Sequence, residues 1–162
     1  MPSTSSFTPG LIPFAATELL GMAGTAQDRF VLRDGAIAVV EHILPPRVLA
    51  VPFHIHTRED ELSFVLEGRV GAQLGHEVLH GAPGDLIVKP RGQWHTFWNA
   101  GDSPARILEL ILPGGLEEAF RQIHFRPELA DPEQLAALAA SFGCDMDFER
   151  TGPLMERLGL TM

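Results

Sequence analysis

The chain has 162 residues, 45% of them hydrophobic and 20% charged, with a formal net charge of −9. That length supports one well-buried core and excludes two ordinary domains. The acidic balance excludes a nucleic-acid surface, which needs clustered Lys and Arg, and equally an anionic membrane face.

Residues 1–29 are rich in Ser, Thr, Pro, Gly and Ala and read as an N-terminal arm, packed on the domain or on a partner subunit, or partly disordered. They lack a basic segment followed by an apolar run, and no apolar stretch in the chain reaches the roughly 18 residues of a membrane span. The expectation is a soluble, cytoplasmic protein without nucleic-acid or membrane partners.

From Phe30 to Pro113 the texture is that of short strands broken by turns. Strands are predicted over Phe30–Leu32, Ala36–Leu44, Val48–Phe53, Glu61–Glu67, Val70–Leu74, Glu77–His80, Leu86–Lys89, Thr96–Asn99 and Ala105–Leu112. Turn residues such as Asp34-Gly35, Pro45-Pro46 and Gly81-Ala82-Pro83-Gly84-Asp85 separate them, a spacing that predicts an all-β antiparallel sandwich or barrel. Residues 114–162 form a helical C-terminal extension. Leu116–Ile123 carries a helical apolar stripe. Asp131-Pro132-Glu133-Gln134 is a helix start, with an acidic N-cap, Pro at the first position and Gln where a capping box wants it. Gly143 stops that helix, and Gly152-Pro153 opens a last short one. No ligand-like cluster lies in these helices. They are expected to pack on the barrel exterior or across a dimer, with capping of the barrel mouth left open. Cys144, the single cysteine, excludes an internal disulfide and reads as a packed or surface residue.

Chemistry concentrates in two runs, His54-Ile55-His56-Thr57-Arg58-Glu59-Asp60-Glu61 and Pro90-Arg91-Gly92-Gln93-Trp94-His95. Histidines at i and i+2 share one face of a strand, whereas a helix would splay them. Imidazoles and carboxylates that converge in a barrel lined by Phe, Leu and Val are costly to bury unless paired or ligating. Three imidazoles and a choice of carboxylates can hold a divalent first-row metal and leave positions open. Glu59 competes with Glu61 as the carboxylate and is expected to be solvated on its loop. His42, His76, His80 and His124 have no partners at ligand spacing and read as surface or packing residues. Strand parity places few charges inward. Phe97 shares parity with His95, and Ser63 and Val65 with Glu61.

The chain reads His54-x-His56, four residues, Glu61, six residues, Gly68, and then Gly84, five residues, Pro90-x-Gly92, two residues, His95, three residues, Asn99. Over roughly residues 35–113 this resembles the two motifs of the cupin superfamily, at every signature position. The resemblance implies a small jelly-roll (double-stranded β-helix) barrel. It also implies His54, His56, Glu61 and His95 as metal ligands, preferring Glu61 over Glu59. Gly68, Gly84, Pro90 and Gly92 carry over as turn formers, and Asn99 as a structural residue. The metal would be a divalent transition ion, Fe, Mn, Ni, Co, Cu or Zn.

A single-domain chain with this ligand set and a helical extension looks like the quercetin 2,3-dioxygenase-like group. That implies a dioxygenase acting on an enolisable or phenolic small molecule, with Glu61 accepting a proton. Two alternatives stand beside it: a redox-neutral isomerase or lyase on a small metabolite, and a non-catalytic small-ligand binder. An apolar pocket lining would favour an aromatic substrate, and inward Arg, Lys or Gln a sugar or acid. The apolar residues Leu11–Phe14 and the edge strands point to a homodimer.

Overall fold

A computed structural model describes residues 10–21 and 26–162. Eleven strands and three helices follow one another as β1 (Glu18–Gly21), β2 (Gln27–Asp34), β3 (Ile37–Leu44), β4 (Phe53–His56), β5 (Asp60–Glu67), β6 (Val70–Leu74), β7 (Glu77–Gly81), β8 (Leu86–Lys89), β9 (His95–Asn99), β10 (Ala105–Leu112), α1 (Glu117–Phe125), α2 (Pro132–Ser141), β11 (Cys144–Asp147) and α3 (Phe148–Leu158). The strands form a six-stranded sheet, β1-β2-β3-β10-β5-β8, and a five-stranded sheet, β11-β4-β9-β6-β7. Every paired strand is antiparallel. The architecture is the expected all-β jelly roll with helices at its C-terminus. Among the described residues no helix is long and apolar enough to cross a membrane.

Alternation builds the core. Along β10, Ala105, Ile107, Glu109 and Ile111 turn inward while their neighbours are more exposed. Leu44, Val65, Val70, Ile87, Phe97 and Ile107 fill the space between the sheets. β9 is buried along its whole length because α3 covers its outer face, where Trp98 packs with Leu49, Leu154 and Leu160. At Gly71 a Cβ would run into the Trp98 indole, so the close approach of β6 to β9 requires glycine.

Several expectations are corrected. The strand predicted over Val48–Phe53 is reduced to isolated bridges at Val48 and Leu49, and the regular strand begins at Phe53. Pro52 has no N–H to donate, so the ladder starts after it. The segment read as an arm contributes β1 and the first residues of β2, which pair with each other. Within the C-terminal extension, β11 lies on the edge of β4 and pairs Cys144 with His56 and Met146 with His54. Gly152-Pro153 sits inside α3 rather than at its start, because Asp147 caps that helix by accepting from the Arg150 N–H at 2.9 Å. The α2 start follows the sequence: Asp131 accepts from the Glu133 and Gln134 N–H groups, both at 3.1 Å.

The helices do not simply coat the outside. α1, α2 and the turn between them close the barrel mouth over a chamber of about 560 Å³.

Candidate metal centre and chamber

β4 delivers His54 and His56 on one face, β5 begins with Asp60 and aims Glu61 inward, and β9 opens with His95, paired directly opposite His54. The last step depends on the turn before β9. Gly92 adopts φ +76° and donates its N–H to the His56 carbonyl at 2.8 Å, which ties that turn to β4. Asn99 holds the far end of β9. Its Nδ2 donates to the carbonyls of Leu44, Pro45 and Ser103 at 2.7–3.0 Å, and its Oδ1 accepts from the Gly101 N–H.

All four residues are buried, and one potential ligand atom from each lies within 4.8 Å of the others. The three ring centroids are 4.3–5.3 Å apart. Each imidazole has an oxygen behind its Nδ1: the Pro52 carbonyl for His54 at 2.8 Å, the Gln93 carbonyl for His95 at 2.8 Å, and the Glu59 carboxylate for His56 at 3.8 Å. Carbonyls accept only, so His54 and His95 carry their protons on Nδ1 and turn Nε2 lone pairs toward the common centre. Both ring nitrogens of His56 are buried without a hydrogen-bond partner among the described residues. A buried orphan imidazole is costly, and a cation at the centre would satisfy it. The donor set therefore fits a divalent transition metal.

The electrostatics divide the cluster: burial opposes charging of His56, but Glu61 and Cys144 raise it to about 10, so an ion there must displace its proton. Burial and the neighbouring imidazoles of His95 and His56 hold His54 well below the ordinary histidine range, so it is a neutral donor. Burial works to raise the Glu61 carboxyl, but the Lys89 ammonium and His56 outweigh it and hold that group well below the usual carboxylate range.

Lys89 is the principal residue that sequence reasoning missed. Fully buried, its Nζ lies 3.0 Å from Glu61 Oε2 and 2.9 Å from Glu109 Oε2, and Ser63 Oγ donates to that same Glu109 oxygen at 2.7 Å. Although burial alone would discharge it, Glu109 and Glu61 raise its pKa, so it stays an ammonium. The expectation of few inward charges is thereby overturned. A signal for Glu109 existed, since it shares parity with Ala105, Ile107 and Ile111. In Leu86-Ile87-Val88-Lys89 the apolar residues fall on both faces, so parity was silent there.

Glu59 corrects another expectation. Predicted to be solvated, it is buried behind His56, and burial raises its carboxyl pKa. Its turn is held down by the end of the helical extension, where the Gly143 carbonyl accepts from the Thr57 N–H and Oγ at 2.9 and 2.8 Å. Nothing local to residues 57–60 announces that contact.

His42 is likewise more than a packing residue. Its Nδ1 lies 2.6 Å from Asp28 Oδ1, both groups are buried, and both line the chamber. His76, His80 and His124 lie outside the cluster. His124 bonds the Gly21 carbonyl at the chamber's outer edge. The remaining walls are mostly apolar, with Leu44, Val51 and Phe97 from the barrel and Phe120, Leu135 and Leu138 from the helices.

Comparison with known proteins agrees with this architecture. Residues 40–111 match the profile of the Cupin domain family. No curated protein matches the chain. Among solved structures, KdgF from Halomonas sp. superposes with a TM-score of 0.62 at 19% identity, covering 68% of this chain and 99% of that one. A sugar phosphate isomerase of the cupin superfamily from Silicibacter pomeroyi gives 0.55 at 21%, covering 64% and 75%. A Streptomyces PAC13 variant with uridine gives 0.55 at 16%, covering 69% and 88%. At these identities the likeness establishes the fold.

Proposed function

Starting from a cupin barrel with a possible metal site at one end of a covered chamber, we propose a metal-dependent enzyme acting on a small, mostly apolar, oxygen-bearing molecule. The substrate class is an enolisable or phenolic compound and the reaction a dioxygenation. One observation carries this reading. The polar groups on a largely apolar wall of the described chamber are His54, His56 and Glu61 of the ligand cluster, the Asp28–His42 pair, and His124 and Arg126 at its outer edge. A volume of about 560 Å³ suits a ligand of drug-like size.

His54, His56 and His95 would hold the ion through nitrogen and Glu61 through a carboxylate oxygen. When bound, the ion supplies Lewis-acid polarisation of a substrate oxygen and, if redox-active, dioxygen chemistry. The chain's own residues do the rest. Phe97 and the helical cover strip water from the apolar part of the substrate. The Lys89 ammonium, 3.0 Å from Glu61 Oε2, fixes the carboxylate and makes Glu61 a ligand first and a proton acceptor second.

Protein reconstituted with single divalent metals and incubated with a flavonol, a 1,3-diketone or a catechol tests the reading. Oxygen uptake with product formation is the expected result. Equal product with and without air would convert the assignment to a redox-neutral isomerase or lyase, the alternative that the buried Asp28–His42 pair favours. Retention of ligand without turnover would leave a binding protein.

A further inference from the structure

We propose that His42, held by Asp28, takes the proton from the substrate's acidic hydroxyl inside the chamber. This rests on the reading of the chamber as the substrate site, and not on the metal.

Asp28 and His42 are direct cross-strand partners on β2 and β3. Their side chains meet at 2.6 Å through Nδ1, which points Nε2 the other way. Among the described residues the one hydrogen bond of the ring is that to Asp28, and His42 lines the chamber. The Phe97 ring lies 5.5 Å from the imidazole and the Phe120 ring of α1 5.9 Å, so the surroundings of the dyad are apolar. The charged groups that act on the imidazole are Asp28, Glu109 and Lys89. A carboxylate that orients one imidazole nitrogen while the other faces a dry pocket is the arrangement that general-base chemistry uses.

The step balances without a co-reactant. Nε2 takes the proton, the O–H electron pair stays on oxygen as phenolate or enolate, and the Asp28 carboxylate stabilises the imidazolium through the Nδ1–H. The proton returns to product when the chamber empties. Burial opposes this charging, but Asp28 outweighs it and raises His42 above the ordinary histidine value, a direction that strengthens it as an acceptor.

The probe is 3-nitrophenol, whose phenolate is coloured and whose phenol is not, added to full-length protein stripped of metal, at a pH above the His42 midpoint followed by its ring resonances and below the probe's own, higher pKa. Wild-type protein should bind it as phenolate. His42→Gln should abolish the colour, and Asp28→Asn should cut the bound phenolate-to-phenol ratio about tenfold or more, one pKa unit being one decade. Should His42→Gln fail to fold, Asp28→Asn and the His42 ring resonances of wild-type protein serve instead. Those resonances should move to the imidazolium position as the probe binds. Unchanged colour in His42→Gln or Asp28→Asn, or no phenolate in wild type, overturns the inference. Colour only after metal is restored overturns it too while leaving the proposed function standing. Colour without metal, joined to no turnover on reconstitution, does the reverse.

Discussion

The two ends of the chamber are built on different physics. At the barrel end, polar groups are fixed from behind: carbonyl oxygens orient His54 and His95, and the Lys89–Glu109 pair anchors Glu61. At the covered end, α1 and α2 lay apolar side chains across the mouth, and the polar exceptions are the histidine–aspartate pair and, at the outer edge, His124 and Arg126. The first end is rigid because its charges have nowhere else to go. The second is held by apolar burial and helix caps, each worth little alone, and so is the end more able to open for a ligand.

The comparison breaks most sharply at His56. His56→Ala should take metal content from about one ion per chain to background, while His76→Ala, outside the chamber, keeps it. Elemental analysis of the two purified variants reads this directly, and equal content would dissolve the polar end as a metal centre.

Next in size is Lys89→Met. Removing one partner from a buried ion network typically costs about 3–5 kcal/mol, because the partner's charge is left uncompensated. Glu109 Oε1 already has no hydrogen-bond partner among the described residues, so the loss falls on a group with nothing in reserve. Replacing Glu109 by Leu in the same chain should recover much of the stability, and denaturant titration of both variants separates charge from packing.

Asp28→Asn probes the covered end. A folded-state pKa above the unfolded value means that His42 contributes stability fully present below the ordinary histidine pKa and lost as pH rises through its folded value. The variant should therefore be destabilised by about 1.5–3 kcal/mol in mild acid, the range for a hydrogen bond to a charged group. The deficit should shrink toward alkaline pH. A deficit that grows with pH would refute the pairing.

Glu59→Gln sharpens the polar end. If the carboxylate orients His56, metal affinity should fall about 10- to 100-fold with the fold intact, as is typical when a group behind a ligand is lost. Competition with a chelator of known affinity measures it, and an unchanged affinity would return Glu59 to a merely buried loop residue.

How much of this was legible in the chain follows the same divide. The cluster could be read because its parts lie within two short segments: strand parity put His54 and His56 on one face, and the resemblance to the cupin motifs singled out Glu61 and His95 beside them. Glu59, Lys89 and the Asp28–His42 pair could not be read as partners. Each depends on which distant strand or helix end arrives beside it: the Gly143 carbonyl over the Thr57 turn, β10 beside β5, β2 beside β3. Parity along Ala38, Val40, His42 and Leu44 places His42 inward, yet with no partner in view it reads only as a surface or packing residue. What it lacked was Asp28, fourteen residues away on a strand whose start was placed too late. The strand β11 was hidden in a segment whose periodicity spoke only of helices.

The smallest expected effect tests whether the covered end is the softer one. Asp131 caps α2 by accepting two backbone N–H bonds and touches neither the ligand cluster nor the Asp28–His42 pair. Asp131→Ala should cost α2 about 1 kcal/mol. If α2 opens as a local unit, amide exchange along it should speed up about fivefold, the Boltzmann factor for that energy, while β4, β5 and β9 exchange as before. Metal affinity should not move so long as Gly143, just past α2, keeps its bonds to Thr57, because Pro52, Glu59 and Gln93 themselves lie in the barrel. If exchange instead rises equally in β4 and α2, the cover and the centre unfold as one unit, and the chamber has no independently yielding side.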